Sequence, residues 1–456
     1  MPSGAVPHDQ GAYIDPAHSD TTIGAQIAGI AFEHPNRLRW FIAFGICFLL
    51  TLWLVFCLGW LFYWGVGVWG NNIPVGWALD ITSYDWWMGN ACGAMAVSAL
   101  LLLLRQYWRG ALNRSAETVA LLAACAGGVY PIIHLGRPWF FYWTLPYPNN
   151  LLLWPQFRSP LVWDAFDIIS FIFVALMFWY VGMLPDLGTL RDRAQGLMRK
   201  RLYGIAALGW RGSAVHWSRW LQTYRILALL GVLQALCLQS GAAVMYAGTV
   251  EPGWHDTLLP AFFFINSIFQ GTGLVAVVVA VVRYVYPVKS LITRRHLDIL
   301  GRILLAAGLL STYCYCADFF FTALGGDHYE RSVMLRRWTG LYAAAFWLIV
   351  GAGLLPIHVL WFRGMRRSGM VLFLVGIGAM AAMWGDHFMT LVVTQHRDFL
   401  PSSQAFYTTS FWAVTTWIGT IGLFGMLLLL VLRYLPVASI VESRLLSHQQ
   451  QGGAGV

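Results

Sequence analysis

Ten stretches of this chain are long and apolar enough to cross a lipid bilayer, near residues 39–66, 84–104, 116–135, 161–184, 222–247, 257–285, 298–322, 338–362, 368–393 and 409–434. A spanning helix needs about 20 such residues. Its backbone polar groups find no water in the hydrocarbon and must pair within the helix. A chain built mostly of such segments has one fold class open to it, an all-α polytopic membrane protein. Composition agrees: 58% of the 456 residues are hydrophobic and only 11% are charged. A disordered chain needs the reverse balance, and so small a polar fraction could not cover a soluble core. The net charge of +9 reflects the excess of Lys and Arg expected in cytoplasmic loops, so no nucleic-acid partner is expected.

The basic residues set the topology. Arg105, Arg109 and Arg114, the run from Arg191 to Arg219, Lys289, Arg294 and Arg295, and Arg363, Arg366 and Arg367 fall in the connections after spans two, four, six and eight. The other connections hold only Arg137, Arg158, Arg331, Arg336, Arg337 and Arg397. This asymmetry predicts both termini in the cytoplasm. The first 38 residues lack an apolar run and a cleavage site, which predicts a retained first span rather than a signal peptide. The basic connection 185–221 reads as a solvated face with a short surface helix. The outer loop 136–160, rich in Trp, Tyr, Pro and Asn, reads as a non-helical interfacial segment facing an external partner. The seven cysteines nearly all lie in apolar runs and read as buried hydrophobes.

Charged groups in a bilayer are costly, and each marks a candidate site. The third span ends at His134 and the fourth begins with Trp163, Asp164 and Asp167. His134 and Asp164 therefore lie at similar depth on consecutive helices. A neutral imidazole and a carboxylate there can accept two protons from a bound diol. An interhelical hydrogen bond pinning the two helices fits the same spacing. Asp318, Asp386 and His387 in the outer halves of later spans, with His358 toward the inner end of span eight, could carry protons or pair between helices. Gln234, Gln239, Asn266 and Gln270 read as interhelical hydrogen bonds. The histidines supply no bis-His haem pair at one depth. Cys314 and Cys316 point to different helix faces, and no iron–sulfur motif is present. The chain is expected to hold no metal and no redox centre of its own.

The blocks YPIIHLGRPWFFYW (130–143) and NLLLWPQFRSPLVWDAFD (150–167) resemble NrfD/PsrC-type membrane subunits and, more narrowly, the ActC subunits of bacterial alternative complex III. LLRQYWRGALNRSAE (103–117), GMLPDLGTLRDRA (182–194), PGWHDTLLPAFF (252–263), QHRDFLPSS (395–403) and IGTIGLF (418–424) extend the resemblance over about 75–440. It implies two four-helix bundles, spans two to five (84–247) and six to nine (257–393). Residues 39–83 then hold the first span and an outer loop, and 409–456 the tenth span and a cytoplasmic tail. It implies menaquinol or ubiquinol oxidised in the first bundle of a multi-pass protein of the bacterial inner membrane. Electrons would pass to iron–sulfur clusters in an ActB-like partner and then to haem c in multihaem and monohaem cytochrome c subunits. A second NrfD-like (ActF-like) subunit and small membrane subunits make up the rest of the implied assembly in the lipid bilayer. The family's site residues fall on His134 and Asp164, with Arg137 and Arg158 in the loop between them. A proton route through the bundles would use Asp318, Asp386, His387 and His358.

Three positions depart from the family pattern. Cys92 and Gln239 stand where His is usual, and Met245 stands where the fifth span carries an Asp beside the quinol. These departures keep a second reading open, a structural anchor binding no quinone. A free-standing transporter is a third, but the sequence shows neither a fixed repeat nor an evident broken helix. Glycine-rich runs such as Gly271-Thr272-Gly273 and Gly351-Ala352-Gly353 predict close helix crossings instead.

Overall fold

A computed structural model describes residues 13–14, 19–33, 37–135, 137–144, 157–397 and 399–451. Every regular element among them is helical. In chain order these are α1 (Asp20–Glu33), α2 (Arg37–Trp64), α3 (Ala78–Leu103), α4 (Asn113–Gly127), α5 (Tyr130–Ile133), α6 (Pro160–Arg193), α7 (Leu197–Ala206), α8 (Ala214–Ala247), α9 (Leu259–Val285), α10 (Arg294–Gly325), α11 (His328–Thr339), α12 (Ala343–Leu348), α13 (Arg363–Arg366), α14 (Gly369–Phe388), α15 (Phe411–Tyr434) and α16 (Ile440–Gln451).

Ten helical segments among the described residues are long and apolar enough to span a membrane. They coincide with the ten segments expected, with shifted ends. Span two begins at Ala78, not 84, because Asp80, Thr82, Ser83 and Asp85 lower the hydropathy of a turn that is nonetheless helical and buried. α6 runs on to Arg193 and α8 starts at Ala214, so the connection read as 185–221 contracts to 194–213. The surface helix expected within it is α7, which buries none of its residues. The segment before span one, read only as a tail, contains α1, which packs on α16. Of loop 136–160, Pro138–Thr144 forms a 3-10 helix, which corrects the non-helical reading there. Positions 136 and 145–156 lie outside the described residues.

α3 is buried along nearly its whole length and touches α4, α8, α9 and α14. α6 closes a ring with α4 and α8. A second set joins α9, α10 and α14 with span eight. In lipid, helices gain little from burying apolar surface and associate through close packing of small residues. The α3–α9 crossing is of this kind. A Cβ on Gly93 would stand 1.8 Å from the Ser267 carbonyl oxygen, and one on Gly271 would stand 2.5 Å from the Ala94 nitrogen. α2 and α15 run antiparallel, with Gly419, Gly422 and Gly425 packed on Leu54, Leu50 and Cys47. The outer face of α2 leaves Ile42, Leu49 and Phe56 exposed, as lipid-facing residues should be.

Span eight is broken, contrary to expectation. α12 passes into a π-helical turn, Ile349–Leu354, and a 3-10 turn, Pro356–Trp361. Pro356 lacks the N–H that would continue the ladder. The cysteine reading needs a similar correction. Cys57, Cys92 and Cys314 are buried, but Cys237 and Cys316 face outward.

Candidate functional site

One end of the α3–α4–α6–α8 group gathers His134, Asp80, Asp85 and Asp164. α4 stops at Gly127, where a Cβ would stand 2.7 Å from Met88 Sδ on α3. Pro131 opens the short α5, and His134 caps it. This break turns His134 toward the first turn of α3, where its Nδ1 stands 3.2 Å from Asp80 Oδ2. The two are at ion-pair distance but off the line of a hydrogen bond. The Trp77 ring lies 5.9 Å from the imidazole. Ala78, which starts α3, takes the left-handed φ of 53°. That is a strained conformation for a residue with a Cβ, and it sets the direction in which α3 leaves Trp77.

Asp80 and Tyr84 are four residues apart and share a helix face. The Tyr84 hydroxyl donates to Asp164, 3.2 Å from Oδ1 and 3.4 Å from Oδ2. Asp164 lies in the second turn of α6, near a helix N-terminus that favours a carboxylate. Asp167, one turn on, accepts from Gln234 Nε2, which also donates to Ser170 Oγ at 2.9 Å. Asp85 accepts from the Tyr246 hydroxyl at 3.0 Å and is buried. His134 and Asp164 are thus gathered at one end, but through Asp80 and Tyr84 rather than by a bond to each other.

A cleft of about 890 Å³ opens on the Asp164 side of this group, and His134 is not among its described lining residues. Arg158, Trp163, Asp164, Asp167, Gln234 and Met245 are among its walls. Three positions singled out from sequence, Arg158, Asp164 and Met245, therefore share one surface. Arg137 is exposed at the start of the 3-10 turn. Cys92 is fully buried and lies beside Gln239, so two of the departures from the family pattern are neighbours. Next to the third, Met245, Tyr246 supplies the polar contact, to Asp85.

Sequence reasoning missed Asp80, Asp85, Tyr84 and Tyr246. Asp80 falls outside the span that hydropathy defines, and Asp85 sits at its edge. The helical spacing of Asp80, Tyr84 and Asp85 was the available signal. A buried carboxyl facing a hydroxyl or an imidazole rather than a permanent cation can hold or release a proton as its surroundings change. This end of the protein has two such carboxyls, Asp80 and Asp85, a half-buried third, Asp164, and one histidine.

The second candidate group is partly assembled. Asp386 accepts from Asn266 Nδ2 at 3.1 Å and from the Tyr315 hydroxyl. Ser311 Oγ donates to Asn266 Oδ1 at 2.5 Å. Asp318 pairs with Arg337 at 3.4 Å. Asp318 and Asp386 line one cavity of about 230 Å³. His387 does not join them. It bonds the Met383 carbonyl, with its ring edge-on to Phe263. His358 is farther removed. Its Nδ1 accepts from the exposed Trp361 indole at 3.0 Å, a contact within a single turn. Of the intramembrane amides, Gln234 and Asn266 make the interhelical bonds expected. Gln270, beside Gly89, is buried with neither amide atom bonded among the described residues.

A third group was invisible to the charge tally. Arg109 and Arg114, which fall among the loop charges in sequence, are almost wholly buried. Arg114 donates to Asp186 at 2.8 and 3.1 Å, to Glu117 at 2.9 Å and to the Gly182 carbonyl at 2.6 Å. Arg109 pairs with Glu442, and the Tyr224 hydroxyl donates to Glu117. Asp186 also accepts the backbone N–H groups of Ile440 and Val441, which caps α16.

Comparison with known proteins identifies relatives of the chain. A model of the family described as "Polysulphide reductase, NrfD" matches residues 67–399, which contain spans two to nine and all three groups except Glu442 and the start of α16. A selenate reductase subunit of Mesobacillus selenatarsenatis is 21% identical over 396 residues, covering 82% of this chain and 88% of that protein. A putative dimethyl sulfoxide reductase membrane subunit of Halobacterium salinarum is 23% identical over 418 residues, with the same coverages.

Proposed function

The chain belongs to the polysulphide reductase NrfD family, and on that premise we propose that it is the quinol-oxidising membrane subunit of a respiratory complex. The carrying observation is the convergence of His134, Asp80, Tyr84, Asp164 and Asp85 at one helix-bundle end beside a cleft of about 890 Å³. That volume suits a quinol ring. Menaquinol or ubiquinol enters the cleft with one hydroxyl toward His134 and the other toward Asp164. Oxidation releases two protons, one to each group. Two electrons leave for an iron–sulfur cluster in an ActB-like partner docked over the same end, and from there reach c-type haems. The spans form two four-helix bundles, two to five and six to nine, with both termini cytoplasmic and the site at the outer face of the bacterial inner membrane. Arg158 faces the cleft. Asp318 and Asp386 offer proton-exchanging groups in the second bundle.

The blocks at 130–143 and 150–167 support alternative complex III as the assembly, with its ActF-like and small membrane subunits. The relatives' names, selenate reductase and dimethyl sulfoxide reductase subunits, favour a second reading of the downstream path. In it the same quinol chemistry supplies a reductase instead of cytochrome c. The competing anchor reading rests on Met245 and predicts no quinol chemistry here.

The deciding experiment is quinol-driven reduction of the copurified redox centres in complexes carrying His134→Ala or Asp164→Asn, with assembly checked by native gel. Activity falling by about two orders of magnitude in an intact complex, the size of a general-base contribution, is the expected result. Intact variants that match wild type would leave the anchor reading standing.

A further inference from the structure

At the end of α3 farthest from His134, a cavity of about 460 Å³ opens between α3, the start of α8 and α16. One wall is apolar and aromatic, made by Leu102, Trp217, Trp220 and Leu221. The other is cationic, with Arg105, Arg225 and Arg444 around the buried Arg109. The acids of the cavity are already engaged. Glu442 holds Arg109 and Asn113, and Asp20 holds His448 at 2.6 Å. The side chains of Arg105 and Arg225 have neither a hydrogen bond nor an ion pair among the described residues.

Arg105 carries a second, independent sign. α3 ends in a Schellman turn: the Gln106 N–H bonds the Leu101 carbonyl at 2.9 Å and the Arg105 N–H bonds the Leu102 carbonyl at 3.0 Å. The residue at the bend must be left-handed, and glycine takes that position without steric cost. Here Arg105 takes it, at φ 54°. The turn would form more easily without the side chain, so the guanidinium is there for something other than the turn. Tryptophan and arginine together at a helix end are the signature of the bilayer interface. Basic pockets between spans at that level suit lipid phosphates.

We propose that this cavity binds an anionic phospholipid, its phosphate between Arg105 and Arg225 and its acyl chains along Leu102, Trp217 and Leu221. A soluble phosphate would share the cationic wall but would leave the apolar wall unused.

The test uses the assembled complex released from nanodiscs of mixed phosphatidylglycerol and phosphatidylcholine, with retained lipid counted by native mass spectrometry. Phosphatidylglycerol is expected to be retained preferentially. Arg105→Gln and Arg225→Gln should each lower that retention about fivefold, the worth of one basic residue at an anionic surface, whereas Arg201→Gln on α7 should leave it unchanged. Arg105→Gly relieves the turn, so its melting temperature should match or exceed wild type while retention still falls about fivefold. Equal retention of both lipids, or Arg105→Gly and Arg225→Gln binding like wild type, would overturn the proposal. So would displacement of the lipid by millimolar inorganic phosphate, which would give the cavity to a soluble anion.

Discussion

His134 Nδ1 stands 3.2 Å from Asp80 Oδ2, a carboxyl in the first turn of α3. A carboxylate at that distance attracts the imidazolium that forms when the ring takes a proton, and it holds the ring by charge while the other nitrogen is left to a different partner. In the proposed quinol site Asp80 is therefore a positioning residue for His134. Asp80→Asn is expected to lower quinol-driven turnover about 10- to 100-fold, the usual weight of such a partner, and to shift the pH profile of kcat. Asp80→Glu should restore part of both. An intact Asp80→Asn complex with wild-type turnover and pH profile would remove Asp80 from the site.

The buried group around Arg114 should dominate stability. Removing one partner from such a network leaves its charges uncompensated, at about 3–5 kcal/mol. Arg114→Ala takes from Asp186 its paired cation and from Glu117 the nearer of two, leaving Arg109 at 3.8 Å, and should lower the thermal unfolding midpoint sharply or prevent assembly. Arg114→Lys keeps the charge but loses the forked geometry and should fall between the two. Melting curves of the purified proteins decide it, and a wild-type midpoint for Arg114→Ala would refute the role.

The α3–α9 crossing should tolerate no added carbon. Gly93→Ala would press its methyl against the Ser267 carbonyl, and overpacking of this kind costs about 1–3 kcal/mol or more. Gly45→Ala on α2, with open space around it, is the matched control. Reduced yield of monodisperse protein for Gly93→Ala, with Gly45→Ala normal, is the expected pattern.

His396 lies beyond the ninth span, packed edge-on against Tyr342 at 5.2 Å. Burial pushes its pKa below the ordinary value. The Val393 carbonyl opposes that shift, and the charges of Arg336 and Arg397 reinforce it. The unfolded chain then binds this proton more readily than the folded one, so stability rises with pH across the interval below about 6.5 and levels off above it. Melting temperature should fall as pH drops from 7 to about 5, and less steeply in His396→Gln. Parallel curves for the two proteins would exclude His396 as a cause.

Hydropathy made all ten spans legible, because nothing but a helix can carry twenty apolar residues through lipid. The glycine crossings were legible in part, since small residues on a spanning helix favour close packing: Gly271 and Gly353 lie against α3 and α14, but Gly351 faces open space. The site was legible only in part. His134 and Asp164 could be placed at one depth from chain direction alone. Asp80 and Asp85 could not, because their own charge erased the turn of helix that carries them. Arg109 and Arg114 misled for the opposite reason. A count of basic residues takes no account of burial, and their partners Asp186 and Glu442 come from distant parts of the chain. The helix of the first tail and the broken eighth span also depend on contacts that no local pattern records.

The crossing of Gly93 and Gly271 has a mechanical meaning. Backbone lies against backbone there, with no flexible side chain between to take up a displacement. Carriers that alternate access let one half of the molecule rock against the other about a site between them. A seam of this kind acts as a weld in the middle of the protein, and sliding the halves would drive main-chain atoms into each other. Communication between the Asp164 end and the Asp386 group would then travel as charge and proton shifts within a stationary frame. Locking the seam with an engineered disulfide should leave turnover intact.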